Sequence, residues 1–314
     1  MIGITQEIEK LAKTNYFNEI ETLKEKYNKP CNKFIGTPQI DLTYNKTITL
    51  NPIGCLGPNR QVAFVLPKLT DNCKMAFKNL RVNDIMTWES RFYSCELDCS
   101  GQRIDIIYSQ IIETLRYVYD IDNPSVLPFS FCKPNDYLLS DLFSEMKIIF
   151  KLNDYDNTNN DIEFNLKIDV YDVCDNKTEE FQKLQSYKEK EIFQLQFNGE
   201  ESAECKYSKY KLNFNHPITH LIFSTDNSKI EELQLVLDGQ ASAINLNNAH
   251  KFDKDYIVPL SNPNLSSGLN FSNINHAQIN VKFSNVSHGN LFYCYAVNQQ
   301  VLKIFSNCAI NYSN

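Results

Sequence analysis

The chain holds one pair of residues with a metal-ligand step, His216-Pro-Ile-Thr-His220. On a helix, two histidines four apart share a face and can bind zinc, with an intervening Glu as base. Here Pro217 stands between them, no Glu follows His216, and the flanks Leu212-Asn-Phe214 and Leu221-Ile-Phe223 read as strand. Four residues along a strand leave two rings on one face but roughly 13 Å apart, so no shared metal is expected. Asp154, Asp156 and Asp161 lie among asparagines like a calcium loop. They lack the turn Gly and the closing Glu that such a loop needs, and a solvated loop is expected. His250, His276 and His288 are isolated in polar surroundings and are expected at the surface. Cys95 and Cys99 are an even step apart, so on a strand both face one side as small buried hydrophobes. Trp88, the single tryptophan, suits a core or interface anchor. There is no Gly-X-Ser-X-Gly elbow, Walker loop or Gly-X-Gly-X-X-Gly, and only 9 glycines in all. No acid, base and oxyanion site assemble, so neither an enzyme nor a cofactor is expected.

Composition narrows the classes further. The 314 residues are 42% hydrophobic and 22% charged, enough for a packed core in two domains. The net charge of −7 argues against coating nucleic acid, which needs clustered Lys and Arg. No apolar run of about 18 residues is present, and Met1 to Lys13 lacks the apolar stretch of a secretory signal. The ten cysteines are scattered, with Cys31, Cys55, Cys73, Cys132, Cys174, Cys205, Cys294 and Cys308 standing singly. That pattern reads as reduced core thiols of a cytosol-like compartment. Sequons start at Asn45, Asn176, Asn264, Asn270, Asn285 and Asn311, and in an Asn-rich chain they read as chance.

The elements that would position these residues are mostly strands. Thr5 to Tyr27 is the clearest helix, with Ile8, Leu11, Ile20, Leu23 and Tyr27 at helical spacing and Pro30 closing it. It packs on the body of the protein or serves as an arm to a neighbouring subunit. From Phe34 the pattern turns to short apolar or alternating runs: Ile40–Tyr44, Ile48–Leu50, Val62–Leu66, Tyr93–Leu97, Val126–Phe131, Met146–Leu152 and Ile162–Tyr171. A second helix is expected over Ser109–Tyr119. Asn153–Asn160 reads as a polar loop, and Asp175–Lys190 as a charged linker. Strands resume at Ile192–Phe197, Tyr210–Phe214, Thr219–Ser224, Leu233–Leu237, Tyr256–Leu260, Ala277–Phe283 and Leu291–Ile304. Two blocks of short strands around one linker point to two β-sandwiches in tandem, and periodicity alone does not separate immunoglobulin-like sandwiches from jelly rolls.

A series of motifs, in order along the chain, resembles the major capsid proteins of large eukaryotic DNA viruses (the iridovirus, phycodnavirus and mimivirus group). Gly36-Thr-Pro38-Gln39-Ile40 is similar to that family's Gly-Asn-Pro-Gln-Ile. Ser100-Gly101-Gln102-Arg-Ile-Asp105, followed by Tyr108, resembles its Gly-Gly-Gln-X-Ile-Asp-X-X-Tyr. Pro128-Phe-Ser-Phe131 and Leu138 to Phe150 parallel its Leu-Pro run and following strand, and His216 to Phe223 resembles a strand of its second barrel. Leu235-Val-Leu-Asp-Gly239-Gln240 is similar to its Leu-X-Leu-Asn-Gly-X. Ser267-Gly268-Leu-Asn270-Phe271-Ser-Asn-Ile274 resembles Ser-Gly-X-X-Asn-Phe-Ser-Arg-Ile, one residue shorter. Tyr295-Ala-Val-Asn298-Gln-Gln-Val-Leu-Lys-Ile304 resembles Tyr-Ala-X-Asn-Tyr-Asn-Val-Leu-Arg-Ile, and Tyr312-Ser-Asn314 the closing tripeptide. The chain departs from the family in its shorter length, its N-terminal helical segment, Asn273 in place of Arg, and the absence of a Pro-Glu-Glu-His-like run before Ser267.

The resemblance implies an all-β chain of two tandem eight-stranded jelly-roll barrels with an N-terminal helical segment. Its expected divisions are a helical arm over 1–33, a first barrel over 34–180 and a second over 181–314. It implies a structural capsid protein whose pseudo-hexagonal homotrimers tile an icosahedral shell, assembled in the host cytoplasm. Partners would be copies of itself and neighbouring capsomers, then minor capsid proteins and an internal membrane, with no direct nucleic acid. A minor capsid protein or a membrane-shaping assembly scaffold of the same fold is the nearest alternative. Carbohydrate-binding sandwiches and copper-dependent amidating enzymes share tandem β-architecture. The first would need clustered exposed aromatics, and the second copper-binding His and Met groups that the five histidines do not form.

Overall fold

The computed structural model describes residues 16–27, 42–54, 60–67, 75–82, 90–139, 145–153, 165–173, 189–203, 205–226, 229–242, 249–252, 254–261, 268–284, 291–305 and 308–312. They divide between two compact units. One is drawn from residues 35–194 and 301–313, the other from 1–34, 195–300 and 314.

The first barrel opens with β1 (Leu42–Leu50), β2 (Pro52–Ile53), β3 (Gln61–Val65) and β4 (Met75–Val82). It continues with β5 (Phe92–Cys99), β6 (Gln102–Tyr108), β7 (Leu138–Leu139), β8 (Met146–Leu152) and β9 (Leu166–Val173). One sheet runs β1-β9-β4-β7 and the other β2-β3-β8-β5-β6. With β2 set aside and the eight strands lettered B to I, these are B-I-D-G and C-H-E-F, the interleaved order of a jelly roll. Alternation sets the interior: Leu166, Ile168 and Val170 are buried on β9, and Met146, Ile148, Phe150 and Leu152 on β8. Phe150 stands edge-on to both Phe64 and Phe92, with centroids 5.9 and 5.2 Å away, a favoured aromatic geometry.

The second barrel begins with β10 (Glu189–Ser202), β11 (Tyr207–Lys211), β12 (Pro217–Thr225), β13 (Ile230–Leu237) and β14 (Gln240–Ser242). Then come β15 (His250–Phe252), β16 (Asp255–Pro259), β17 (Leu269–Asn270), β18 (Ala277–Phe283), β19 (Leu291–Phe305) and β20 (Cys308–Tyr312). Its sheets run β10-β19-β12-β16-β15 and β11-β18-β13-β14. With β15 set aside, and likewise β17 and β20, which pair with β12 and β19 off this path, the eight remaining strands again run B-I-D-G and C-H-E-F. Phe292 centres the interior, stacked on Tyr210 at 4.5 Å and packed against Phe223 and Phe283. The chain is therefore all-β, two eight-stranded jelly rolls in sequence, as the motifs imply.

The C-H-E part of the two barrels is the same lattice. In one, Gln61 faces Lys151 and Val65 faces Lys147; in the other, Tyr207 faces Lys282 and Lys211 faces Gln278. Cys99 pairs with Met146 and Phe92 with Leu152, with a bulge between Phe92 and Ser94. Leu237 pairs with Ala277 and Ile230 with Phe283, with a bulge between Ile230 and Glu232. The closing bonds match too: Leu66 N–H donates to Met146 O and Asn153 N–H to Arg91 O, as Leu212 N–H does to Ala277 O and Ser284 N–H to Lys229 O.

Among the described residues two α-helices accompany the strands. Residues 16–27 form α1, which lies in the unit of the second barrel, with Tyr16, Ile20 and Tyr27 buried in that barrel's apolar cluster. Tyr16 Oη donates to Pro259 O at 2.6 Å, and Lys26 Nζ donates to Gln240 Oε1 at 2.6 Å. Helix α1 thus packs within its own chain; the rest of the expected helix, from Thr5, lies outside the described residues. Helix α2 (Ile112–Tyr119) follows a 3-10 turn at Ser109–Ile111, buries Ile112, Leu115 and Tyr119, and ends at Asp120 in the left-handed conformation. Val126–Phe131, expected as a strand, is not one. Val126 makes an isolated bridge with Arg81, Pro128 has no N–H to donate, and Ser130–Cys132 turn as a 3-10 helix. The run is apolar because it is an inward plug, with Val126, Leu127, Phe129 and Phe131 all buried.

Candidate functional site

The residues read first for chemistry do not gather. Among the described residues no three His, Cys, Asp or Glu side chains are placed to hold a metal. His216 lies before β12, half-buried, with a left-handed backbone at φ 66°. His220 lies on β12 with Nδ1 3.1 Å from Thr219 Oγ1. His250 and His276 are exposed. Cys95 and Cys99 are both buried on β5. Burial pushes the thiols of Cys95 and Cys294 well up and that of Cys132 up to about 12, which keeps them protonated and unreactive. Trp88, His288 and the three aspartates of the polar loop lie outside the described residues, as do Gly36, Pro38 and Gln39.

The motif residues build turns and clasps. Ser100 (φ 52°) and Gly101 (φ 87°) are the two central residues of the β5–β6 hairpin, and Asp238 (φ 48°) and Gly239 (φ 80°) those of the β13–β14 hairpin. Positive φ at both centres is the type I′ turn, which matches strand twist and favours Gly. Each turn is tied to the strand beside it: Ser100 N–H donates to Glu145 O at 3.0 Å, and Asp238 N–H to His276 O at 2.8 Å. The Asp238 carboxylate also accepts from Asn275 and His276 N–H. Gln102 is exposed at the start of β6. Asp105, buried on β6, accepts from Ile106 N–H at 2.8 Å and from Ser130 N–H at 3.2 Å. Ser130 Oγ in turn accepts from Phe193 N–H, so two separate sequence motifs meet in one hydrogen-bond chain. Tyr108 stands edge-on to Tyr93 at 5.5 Å.

In the second barrel, Gly268, Asn270, Phe271 and Asn298 come together around the first residues of β12. Leu269 and Asn270 pair with Ile218 and Pro217, and Asn298 pairs with Ile218 from the other side. A Cβ on Gly268 would stand 2.2 Å from Ile218 O, so only Gly fits. Asn270 caps the 3-10 turn Phe271–Asn273 by accepting from Ser272 N–H at 3.0 Å; buried in that role, it is unsuited to carry a glycan. Phe271 N–H donates to His216 O, and its ring meets Phe214 edge-on at 6.3 Å. Tyr295 is fully buried and stacks on Phe197 at 4.6 Å. Tyr312 pairs with Val301 in the β19–β20 hairpin. Asn273, singled out only as a departure from the family pattern, has a partner: its Nδ2 donates to Tyr27 O at 2.6 Å. The residue that departs from the motif pattern thus ties the last turn of α1 to the turn Phe271–Asn273.

The outer faces of the matched lattices differ. Ala63, Val65 and Ile149 are half-buried on the first, beside Ile53 at 59% exposed. On the second, Gln278 Nε2 donates to Asn280 Oδ1 and Asn280 Nδ2 to Gln234 Oε1, an amide ladder beside the Lys282–Glu232 ion pair.

Family models and curated proteins give no match to this chain. Solved structures do. VP54 of PBCV-1, from a crystal structure fitted into a cryo-EM reconstruction of the virophage Sputnik, is 17% identical with a TM-score of 0.65, over 90% of this chain and 99% of that one. The quasi-atomic model of the PBCV-1 virus capsid is 18% identical at 0.63, over 90% and 99%. The Faustovirus major capsid protein is 7% identical at 0.55, over 93% and 98%. At such identities the likeness is one of fold, and it runs through both barrels. The chain is a double jelly roll, the fold of the viral major capsid proteins.

Proposed function

We propose that this chain is a structural capsid protein, not an enzyme, whose homotrimers form pseudo-hexagonal capsomers that tile an icosahedral virus shell. The observation that carries the reading is the pair of complete B-I-D-G and C-H-E-F barrels in one chain, alike over 90% of its length to capsid structures. Two barrels per subunit give six per trimer, so a threefold object fits a nearly sixfold setting through closed heterologous contacts. The motif residues serve this indirectly: they close turns and clasp strands so that the barrels present defined flanks. The partners are copies of the chain and neighbouring capsomers, then minor capsid proteins and an internal membrane. The location is the virion capsid after assembly in the host cytoplasm.

Purified full-length chain should sediment with three times the subunit mass and show a hexagonal outline in negative stain. A monomer at all concentrations up to those that assemble shells would overturn the proposal. Honeycomb lattices formed only on lipid would reassign the chain to a membrane-shaping scaffold.

A further inference from the structure

Along β19, Phe292, Cys294 and Ala296 face the apolar interior of the second barrel. Strand alternation puts Asn298 and Gln300 on that same face. Asn298 is completely buried, yet neither its Nδ2 nor its Oδ1 has a hydrogen-bond partner, and the shielded Oε1 of the half-buried Gln300 has none either. Neighbouring polar groups are already committed. Gln299 Oε1 accepts from Gly268 N–H at 3.1 Å, and Thr219 Oγ1 donates to Val297 O at 3.1 Å. Buried amides in native proteins are almost always paired, with protein or with ordered water. Leu has nearly the shape of Asn, so packing alone does not call for an amide at the fully buried position 298.

We propose that Asn298 and Gln300 form an internal hydration site, in which Asn298 Nδ2 donates to a water that donates onward to Gln300 Oε1. Side chains two apart on one strand face are separated by roughly 6.6 Å at the backbone, a span that one water bridges once the longer Gln side chain bends toward it. Unpaired polar atoms are what holds a buried water, which an apolar lining would not bind. No macromolecular partner is needed, so the inference stands apart from the capsid reading.

An experimental map of the full chain at high resolution should show density within hydrogen-bonding distance of both amides, and its absence would overturn the site. Asn298→Leu and Gln300→Met provide the second readout, in urea unfolding. Each should lower the folding equilibrium constant at least about threefold, and the double variant should lose less than the product, because either change alone releases the water. Independent, multiplicative losses would refute the shared water, as would a gain in stability for Asn298→Leu. If Asn298→Leu fails to fold, the map and Gln300→Met still decide.

Discussion

Gly268 and Gly239 are both motif glycines, and they are glycine for different reasons. At Gly239 the backbone needs φ 80° but a Cβ would meet nothing within 4 Å. Alanine there should cost about 1–2 kcal/mol, the usual left-handed penalty. At Gly268 the obstacle is the Ile218 backbone 2.2 Å from the Cβ position, and that strand cannot withdraw without losing its pairs. Gly268→Ala should therefore cost more than about 3 kcal/mol, and urea unfolding of the two variants side by side checks the order. Both glycines were legible in the sequence from motif pattern, whereas the causes that separate them were not, because the Gly268 clash involves a strand some fifty residues away.

His216 carries a second prediction. Burial lowers its pKa below the ordinary 6.5, so the unfolded chain takes up a proton at a higher pH than the folded one. Stability is full above about pH 6.5 and falls as pH drops below it toward the folded value. Unfolding midpoints at pH 7.5 and 5.5 should differ, and His216→Asn should lessen the difference while tolerating the left-handed backbone.

Elements were legible where their pattern was regular. β18 coincides with the expected Ala277–Phe283, because Ala277, Ile279, Val281 and Phe283 alternate without a break. β4 escaped notice: its register slips between Lys78 and Arg81, and Asn79 takes a φ of 50°. The period-two signal is broken within the strand, and outward-facing Arg81 pairs with Asp169 of β9 where solvent would be expected. The helix at the start of the chain was visible, but its seat was not, since no local pattern tells a surface stripe which surface it covers. Ile20→Asp should place a charge in the second barrel's cluster and release α1. Hydrogen exchange should then speed up across 16–27 while the amides of β8 in the first barrel keep their protection. Unchanged protection of the helix would mean that its apolar face is not what holds it.

At the scale of the molecule, the unit assignments cross. Residues 16–27 group with 195–300, and 301–305 and 308–312 group with 35–194. A cut in the middle of the chain should thus leave each half without a piece of its own unit. Fragments 1–188 and 189–314, expressed separately, should be less soluble and less cooperative than when coexpressed. A fragment 189–314 that folds alone with full cooperativity would contradict this. The motif order made the two barrels legible, but a linear reading assigns neighbouring residues to one body, so it could not show either end joining the other.

Helix α1 finds its acceptors at Gln240 and Pro259 and its donor at Asn273. A ribosome adding about 5–20 residues each second emits Tyr27 and then needs about 12–50 s more before Asn273 exists. During that interval the stripe of Tyr16, Ile20 and Tyr27 has no groove to enter, and nascent chains on one polysome hold such stripes side by side. Whatever shields this stripe in the cell therefore has to do so before the second barrel has been translated.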